Sequence, residues 1–330
     1  MTSRIEKDKV IFHPDPCCIC GENEFRVAYR NLCSEDGASF CILECRSCKL
    51  AKIDPILDPD RLGQYYPADY YSYNEMNYGE QKQPGIYTRI AHLVRSITYQ
   101  FQYMPKRGRA LLPFFTKLRM FIISQMGGLR HGHRSFQLDG GRILDIGCGD
   151  GFFLKEVVGI GWETHGVEIN RLAVEKARGN HLNVFYGDLK AAEYPTDFFD
   201  VIRLWSVIEH ISKPLETLEE IRRILKQDGI LIIQVPNYSS AAVRLMKERW
   251  SAWDVPRHLY HFSPETMALL LEKAGFFVFR TDICSVGTIP ASIAAPSQPG
   301  FALRVAGIIL DTFLDLLKRG DAIIVFARCK

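Results

Sequence analysis

No uninterrupted apolar run of about 18 residues occurs in this 330-residue chain, which argues against a membrane-spanning helix. The two best stretches are broken, 110–126 by Lys117 and Arg119, and 301–317 by Arg304, Asp311 and Asp315. The opening MTSRIEKDKVIFHPDP has no apolar h-region, so no secretory signal peptide is expected. Reduced cysteines and a cytoplasmic location follow as expectations. Net charge is also lacking: 41 basic residues against 38 acidic leave +3, too little to mark the whole chain as a nucleic-acid protein. Internal repeats and low-complexity tracts are absent. With 47% hydrophobic and 24% charged residues, wholesale disorder and coiled coil are excluded, and the length suits about two domains.

Cysteine is abundant but uneven. Seven of the ten lie before residue 49. Cys17-x-x-Cys20-Gly21 and Cys45-x-x-Cys48 stand 24 residues apart. Each C-x-x-C turn brings two thiolates to one point, and two such turns supply the four soft ligands of a closed tetrahedral zinc site. The intervening FRVAYRNLCSEDGASFCILEC reads as short strands, so residues 1–60 are expected to form a zinc ribbon in which Cys17, Cys20, Cys45 and Cys48 hold a structural ion. A reduced cluster without metal is the alternative.

Residues 61–138 form a second unit. QYYPADYYSYNEMNY (64–78) holds six of the fourteen tyrosines and reads as a linker packed by its rings or as a lid. Residues 81–138 carry ten Lys or Arg and no acid. Ile86, Ile90, Leu93, Val94, Ile97 and Phe101 recur at helical spacing, as do Leu111, Phe114, Phe115, Leu118, Phe121 and Ile122. Two basic amphipathic helices are therefore expected, as a helical cap or as a peripheral contact at the inner face of a membrane.

From 139 to 330 the pattern alternates. RILDIG, THGVEI, NVFYGD, DVIRLW, GILIIQV, FFVFRTDI and DAIIVFAR read as strands, with helices between them at 171–178, 214–227 and 264–274. This predicts an α/β domain with a mostly parallel sheet covered on both faces, its last strand antiparallel at the sheet edge. After the first strand comes Asp145-Ile146-Gly147-Cys148-Gly149-Asp150-Gly151-Phe152. The glycines let the backbone approach a ligand, but Phe152 stands where a dinucleotide fingerprint has its third glycine. Acidic Asp145 suits a cationic ligand better than a pyrophosphate. S-adenosylmethionine, with an ammonium and a sulfonium, fits that demand. Glu168 ends the second strand, where a carboxylate can accept both ribose hydroxyls. Asp188 follows the third and can accept from the adenine amino group.

Asp145–Phe152, Glu168, Asp188 and FDVIRLWSVIEHI together resemble the class I S-adenosylmethionine-dependent methyltransferases, over roughly 142–280 plus the end strand. Within these the chain is similar to the ubiquinone-biosynthesis-like branch, whose fourth strand leads into a Glu-His pair, here Glu209-His210. With its cysteine leader and Trp253-Asp254-Val255-Pro256-Arg257-His258 it also resembles bacterial methyltransferases with a zinc-ribbon leader, many of them found among surface-polysaccharide or natural-product genes. The resemblance implies a Rossmann-like seven-stranded sheet. It also implies a cofactor site of Asp145, Gly147, Gly149, Asp150, Gly151, Glu168, Ile169, Asp188, Leu189 and Trp205. The Asn- or Asp-Pro-Pro-aromatic motif of nucleobase methyltransferases is missing at LWSVIEH, which disfavours methylation of a base amino group. A small molecule, sugar or lipid-linked saccharide is the expected acceptor, at oxygen or carbon. An RNA modifier and a non-catalytic cofactor-binding scaffold remain the alternatives.

Methyl transfer to a hydroxyl needs a base, and histidine serves near neutral pH. His210, His258 and His261 lie in loops at the carboxyl ends of strands, where ligands bind in such sheets. His258 is the first choice, with Trp253, Tyr260 and His261 shaping the acceptor pocket.

Overall fold

A computed structural model describes residues 10–13, 15–66, 140–295, 297 and 299–330. The tyrosine-rich segment beyond Tyr66 and the basic segment 81–138 therefore lie outside the described residues. Four strands come first: β1 (Val10–Phe12), β2 (Glu24–Cys33), β3 (Ser39–Cys45) and β4 (Ala51–Asp54). A short helix α1 (Pro59–Gly63) follows, capped by the Asp58 side chain, which accepts from the Arg61 amide. The β2–β3 hairpin turns at Asp36-Gly37, where Gly37 has φ 83°.

The second group alternates as expected. It runs β5 (Gly141–Ile146), α2 (Phe152–Val158), β6 (Trp162–Glu168), α3 (Arg171–Gly179), β7 (Val184–Tyr186), β8 (Phe199–Trp205), α4 (Pro214–Ile224) and β9 (Leu225–Pro236). Then come α5 (Ala241–Met246), β10 (Tyr260–His261), α6 (Pro264–Lys273), β11 (Phe276–Cys284), α7 (Thr288–Ala294), α8 (Phe301–Leu316) and β12 (Ala322–Cys329). The helices start where their caps lie: Asn170 caps α3, Ser240 caps α5, and Ser263 forms a capping box with Thr266 on α6. Helix α4 is shorter than predicted, because Leu225 already pairs with Phe199 and opens β9.

Seven strands form a Rossmann-like sheet in the order β11-β12-β9-β8-β5-β6-β7. Strands β9, β8, β5, β6 and β7 are parallel, and β12 is antiparallel to both neighbours. The end strand is thus antiparallel, as read, but it is not at the edge. Ala322–Ala327 are all buried, the mark of a strand flanked on both sides, whereas β11 at the edge exposes Phe277 and Phe279.

The amino-terminal unit does not close on itself. Its antiparallel sheet has the order β1-β2-β3-β4-β10, so the fifth strand comes from the α/β domain. Tyr260 pairs with Lys52 and His261 with Ala51. One apolar core runs from Cys17, Phe25 and Ile42 through Trp253 and Phe262 to Leu231 and Val325. The expected boundary between a ribbon at 1–60 and an α/β domain from 139 is crossed by backbone pairing and by packing alike.

Candidate functional site

Three constellations occupy the joined structure. The first is the glycine turn between β5 and α2. Gly147, Gly149 and Gly151 all have positive φ, at 67°, 55° and 84°. Gly147 is required by packing as well, since a Cβ there would stand 2.6 Å from Val207 Cγ2. The Gly147 amide donates to the Val167 carbonyl at 2.8 Å, fixing the turn against the end of β6. Glu168, buried at that strand end, accepts from the Gly149 amide at 2.9 Å and from the Asn170 amide at 2.8 Å. Burial raises its carboxyl above the ordinary glutamate range, against the pull of these amides. Asp150 is buried within the turn. Ile169 is exposed beyond Glu168, and Asp188 is exposed beyond the neighbouring β7, its carboxylate accepting from the Ala191 amide at 2.8 Å. Leu189 is buried behind it. Strands β5, β6 and β7 thus present glycines, Glu168, Ile169 and Asp188 at one end of the sheet.

Asp145 departs from its expected role. Its carboxylate is buried and paired with the Arg203 guanidinium at 2.7 Å. That guanidinium lies 4.1 Å over the Phe153 ring and 4.5 Å over Trp205. The charge of Asp145, expected to face a cationic ligand, is thus paired with an arginine inside the protein. The signal was a lone arginine inside the apolar strand FDVIRLW.

The second constellation joins the predicted histidines. The His210 and His258 rings are 4.6 Å apart, and His258 and His261 6.2 Å, centroid to centroid. His210 Nδ1 lies 2.9 Å from the Tyr66 hydroxyl and 2.9 Å from the Arg257 carbonyl. His258 Nδ1 lies 2.9 Å from the Ala252 carbonyl, and its Nε2 lies 3.6 Å from Asp254. Both nitrogens of His258 are therefore directed at protein groups and the ring is buried, which leaves the half-buried His210 as the less enclosed imidazole. Trp253, Tyr260 and His261 are buried too. Trp253 packs on Tyr29 and His261, with centroids at 4.8 and 4.9 Å. Instead of lining an open acceptor pocket, these rings fill the seam between the two sheets.

The sequence marked Glu209 only as the partner of His210 in a Glu-His pair, and Asp254 only as part of the Trp253–His258 motif, with no role of its own for either. Glu209 is fully buried, and neither carboxylate oxygen has a hydrogen-bond partner among the described residues. Burial pushes it up to about 8, and burial pushes His210 down to about 3. Burial would also raise Asp254, but the adjoining His258 and Arg257 outweigh it and hold that carboxyl low. A glutamate between apolar neighbours in VIEHI was the available signal. Glu209, His210 and His258 place one ligand atom each within 4.8 Å of one another, a spacing from which a divalent ion is reachable.

A pH dependence follows. Glu209 is raised in the fold, so its contribution to stability is present below the ordinary glutamate range and is lost as pH rises through about 8. Wild type should melt lower at about pH 9 than at about pH 6, by roughly 2–4 °C per kcal/mol lost. Glu209→Gln should flatten that slope. Parallel melting curves for both proteins across this range would remove the buried carboxyl from the account.

The third constellation is the cysteine set. The four sulfurs of Cys17, Cys20, Cys45 and Cys48 lie within 4.8 Å of one another, Cys17–Cys48 and Cys20–Cys45 each at 3.4 Å. None forms a disulfide. The two turns share one geometry: the Gly21 amide donates to the Cys17 carbonyl at 2.8 Å and the Lys49 amide to the Cys45 carbonyl at 3.1 Å. Gly21 has φ 78° and Lys49 φ 68°, so a lysine takes the place of glycine in the second. A tetrahedral ion with bonds of about 2.3 Å to sulfur fits these spacings with little movement. Cys18, Cys33 and Cys41 stand outside the cluster.

Residues 123–280 match a family model described as a methyltransferase domain. With the sequence relatives and the sheet topology, this match supports a class I S-adenosylmethionine-dependent methyltransferase domain over those residues. Part of the methyltransferase domain is 30% identical over 120 residues to a ubiquinone biosynthesis O-methyltransferase of Glaesserella parasuis, covering 33% of this chain and 51% of that protein. It is 28% identical over 156 residues to a tRNA U34 carboxymethyltransferase of Hydrogenovibrio crunogenus, covering 42% and 45%. A solved S-adenosylmethionine-dependent methyltransferase from Archaeoglobus fulgidus is 23% identical, with a TM-score of 0.42, over 57% of this chain and 86% of that one. The chain spans about half the length of these curated relatives. Among the described residues no helix is long and apolar enough to cross a membrane.

Proposed function

We propose that the chain transfers a methyl group from S-adenosylmethionine to an oxygen or carbon of a small molecule, a sugar or a lipid-linked saccharide. The carrying observation is the placement of Glu168 and the glycine turn beside a strand, β8, whose carboxyl end leads directly to the buried Glu209-His210 cluster. When bound, the cofactor supplies an electrophilic methyl on a sulfonium. Glu168 would accept the ribose hydroxyls, Ile169 and Leu189 would adjoin the adenine, and Asp188 would accept from its amino group. Gly147, Gly149 and Gly151 let the backbone come close, while Asp145, through Arg203, and Trp205 hold the floor of the turn. His210 takes the acceptor's proton at Nε2, because its Nδ1 is engaged by Tyr66 and Arg257. His258 and His261 position it. Zinc on Cys17, Cys20, Cys45 and Cys48 holds the β3–β4 hairpin.

The test follows a labelled methyl group into separated sugar-nucleotide, lipid and RNA fractions. Label in a low-mass or lipid-linked saccharide is expected. His210→Ala should lower turnover about 10²–10⁴-fold if the acceptor is a hydroxyl, with cofactor affinity retained. The tRNA-acting relative and the ten basic residues of 81–138 favour RNA as the second reading. Label in RNA, with affinity falling steeply as salt rises, would replace the first reading by that one. Cofactor binding without any labelled product would leave a scaffold.

A further inference from the structure

Helix α8 is inverted. An ordinary surface helix turns apolar residues inward and charges outward. Here Asp311 is 3% exposed, while Ile309 is 69%, Phe313 57%, Leu316 76% and Leu317 53% exposed. Ala302, Ala306, Ile309, Phe313 and Leu316 follow one another at three- and four-residue spacing, a continuous outward stripe along the helix. The acids that break the apolar run in the sequence lie on the opposite side. Asp315 accepts from Ser285 Oγ at 2.7 Å, and Leu314 is buried in the core.

The helix cannot roll to hide this stripe. A Cβ on Gly307 would stand 2.8 Å from Pro290 Cγ, so α8 is seated on α7 at its closest approach. The Ser285–Asp315 bond fixes the next turn. The outward face is therefore set by the fold, and no described residue buries it.

Its surroundings are basic. Lys318 and Arg319 follow the stripe and are exposed. The Arg319 carbonyl accepts from the Ala241 amide, which brings this end to α5. There Leu245 is exposed, and so are Arg244, Lys247 and Arg249. Across 244–249 and 318–319, five exposed basic side chains accompany one exposed acid, Glu248.

We propose that the outward face of α8 docks on an anionic phospholipid surface. Phe313, Leu316 and Leu317 enter the acyl boundary, and Lys318 and Arg319 meet the headgroups. An apolar stripe bordered by cations is the pattern that binds such a surface without spanning it. Anionic headgroups complement these charges, whereas a second copy would bring the same cations face to face. None of these residues is among those assigned to the cofactor site, and the proposal does not depend on the acceptor.

The test is co-sedimentation of the full chain with vesicles of phosphatidylcholine alone and of phosphatidylcholine with phosphatidylglycerol. Wild type should sediment with the anionic vesicles. Phe313→Ser with Leu316→Ser should weaken this at least about tenfold, and so should Lys318→Glu with Arg319→Glu. Circular dichroism and cofactor affinity should be unchanged, since these side chains face outward. Wild type left in the supernatant with both vesicle types would overturn the proposal. So would anionic-vesicle binding that survives both pairs and is lost on Arg107→Glu with Arg109→Glu, which would move the contact to the basic segment. A dimer in analytical ultracentrifugation that Phe313→Ser with Leu316→Ser dissolves, without vesicle binding, would assign the face to a second copy.

Discussion

Glu168→Ala should weaken S-adenosylmethionine binding by about 2–4 kcal/mol, the range of charge-assisted hydrogen bonds lost from a buried site. Two losses combine. The ribose hydroxyls lose their acceptor, and the Gly149 and Asn170 amides lose theirs, so the glycine turn is released as well. Asp188→Asn should cost less, because an exposed amide oxygen still accepts. Asp145→Asn should act on a different quantity. Breaking its buried pair with Arg203 removes one side of an interior charge pair, which typically costs about 3–5 kcal/mol of stability. Calorimetry and thermal melts separate these effects. Wild-type affinity in Glu168→Ala would remove Glu168 from the cofactor site.

If the cysteine set holds the proposed zinc, removing that ion should loosen the histidine cluster and not only the first sixty residues. Structural zinc contributes about 10–16 kcal/mol in small peptides, as much as the total stability of an ordinary domain. The path is backbone throughout. The Cys45–Cys48 turn joins β3 to β4, and β4 pairs with β10, which contains His261. The Ile53 amide donates to the Leu259 carbonyl at 3.0 Å, and the Leu259 amide donates to the Glu209 carbonyl at 2.8 Å. Lys273 on α6 also clasps the first cysteine turn, donating to the Cys18 and Ile19 carbonyls at 3.1 and 2.8 Å. Chelation, or Cys45→Ser, should therefore speed hydrogen exchange at the Leu259 amide by about tenfold or more, while the Gly149 amide changes little. Faster exchange confined to residues before Leu57 would show that the two units are independent.

These couplings explain what the sequence did and did not disclose. The glycine turn, Glu168 and Asp188 were legible because each is a local signal at a strand end. The paired cysteines were legible because ligand spacing is local too. Strand β10 was not, since two residues carry no periodicity and their partners lie some 200 positions away. The ion pair of Asp145 was illegible for the same reason: Arg203 comes from the adjacent strand. The histidines were found as residues, but their order of access depended on burial, which placed His258 behind His210. The end strand's uninterrupted apolar run already indicated an interior position. The cap expected at 81–138 lies outside the described residues.

In the proposed function, the turn after β5 and the end of β6 hold the methyl donor with its reactive end toward His210. A crystal structure with S-adenosylhomocysteine tests it most directly. Both ribose hydroxyls are expected on the Glu168 carboxylate, adenine beside Ile169 and Asp188, and the sulfur facing His210. Ligand bound elsewhere, or a ribose with no contact to Glu168, would contradict it.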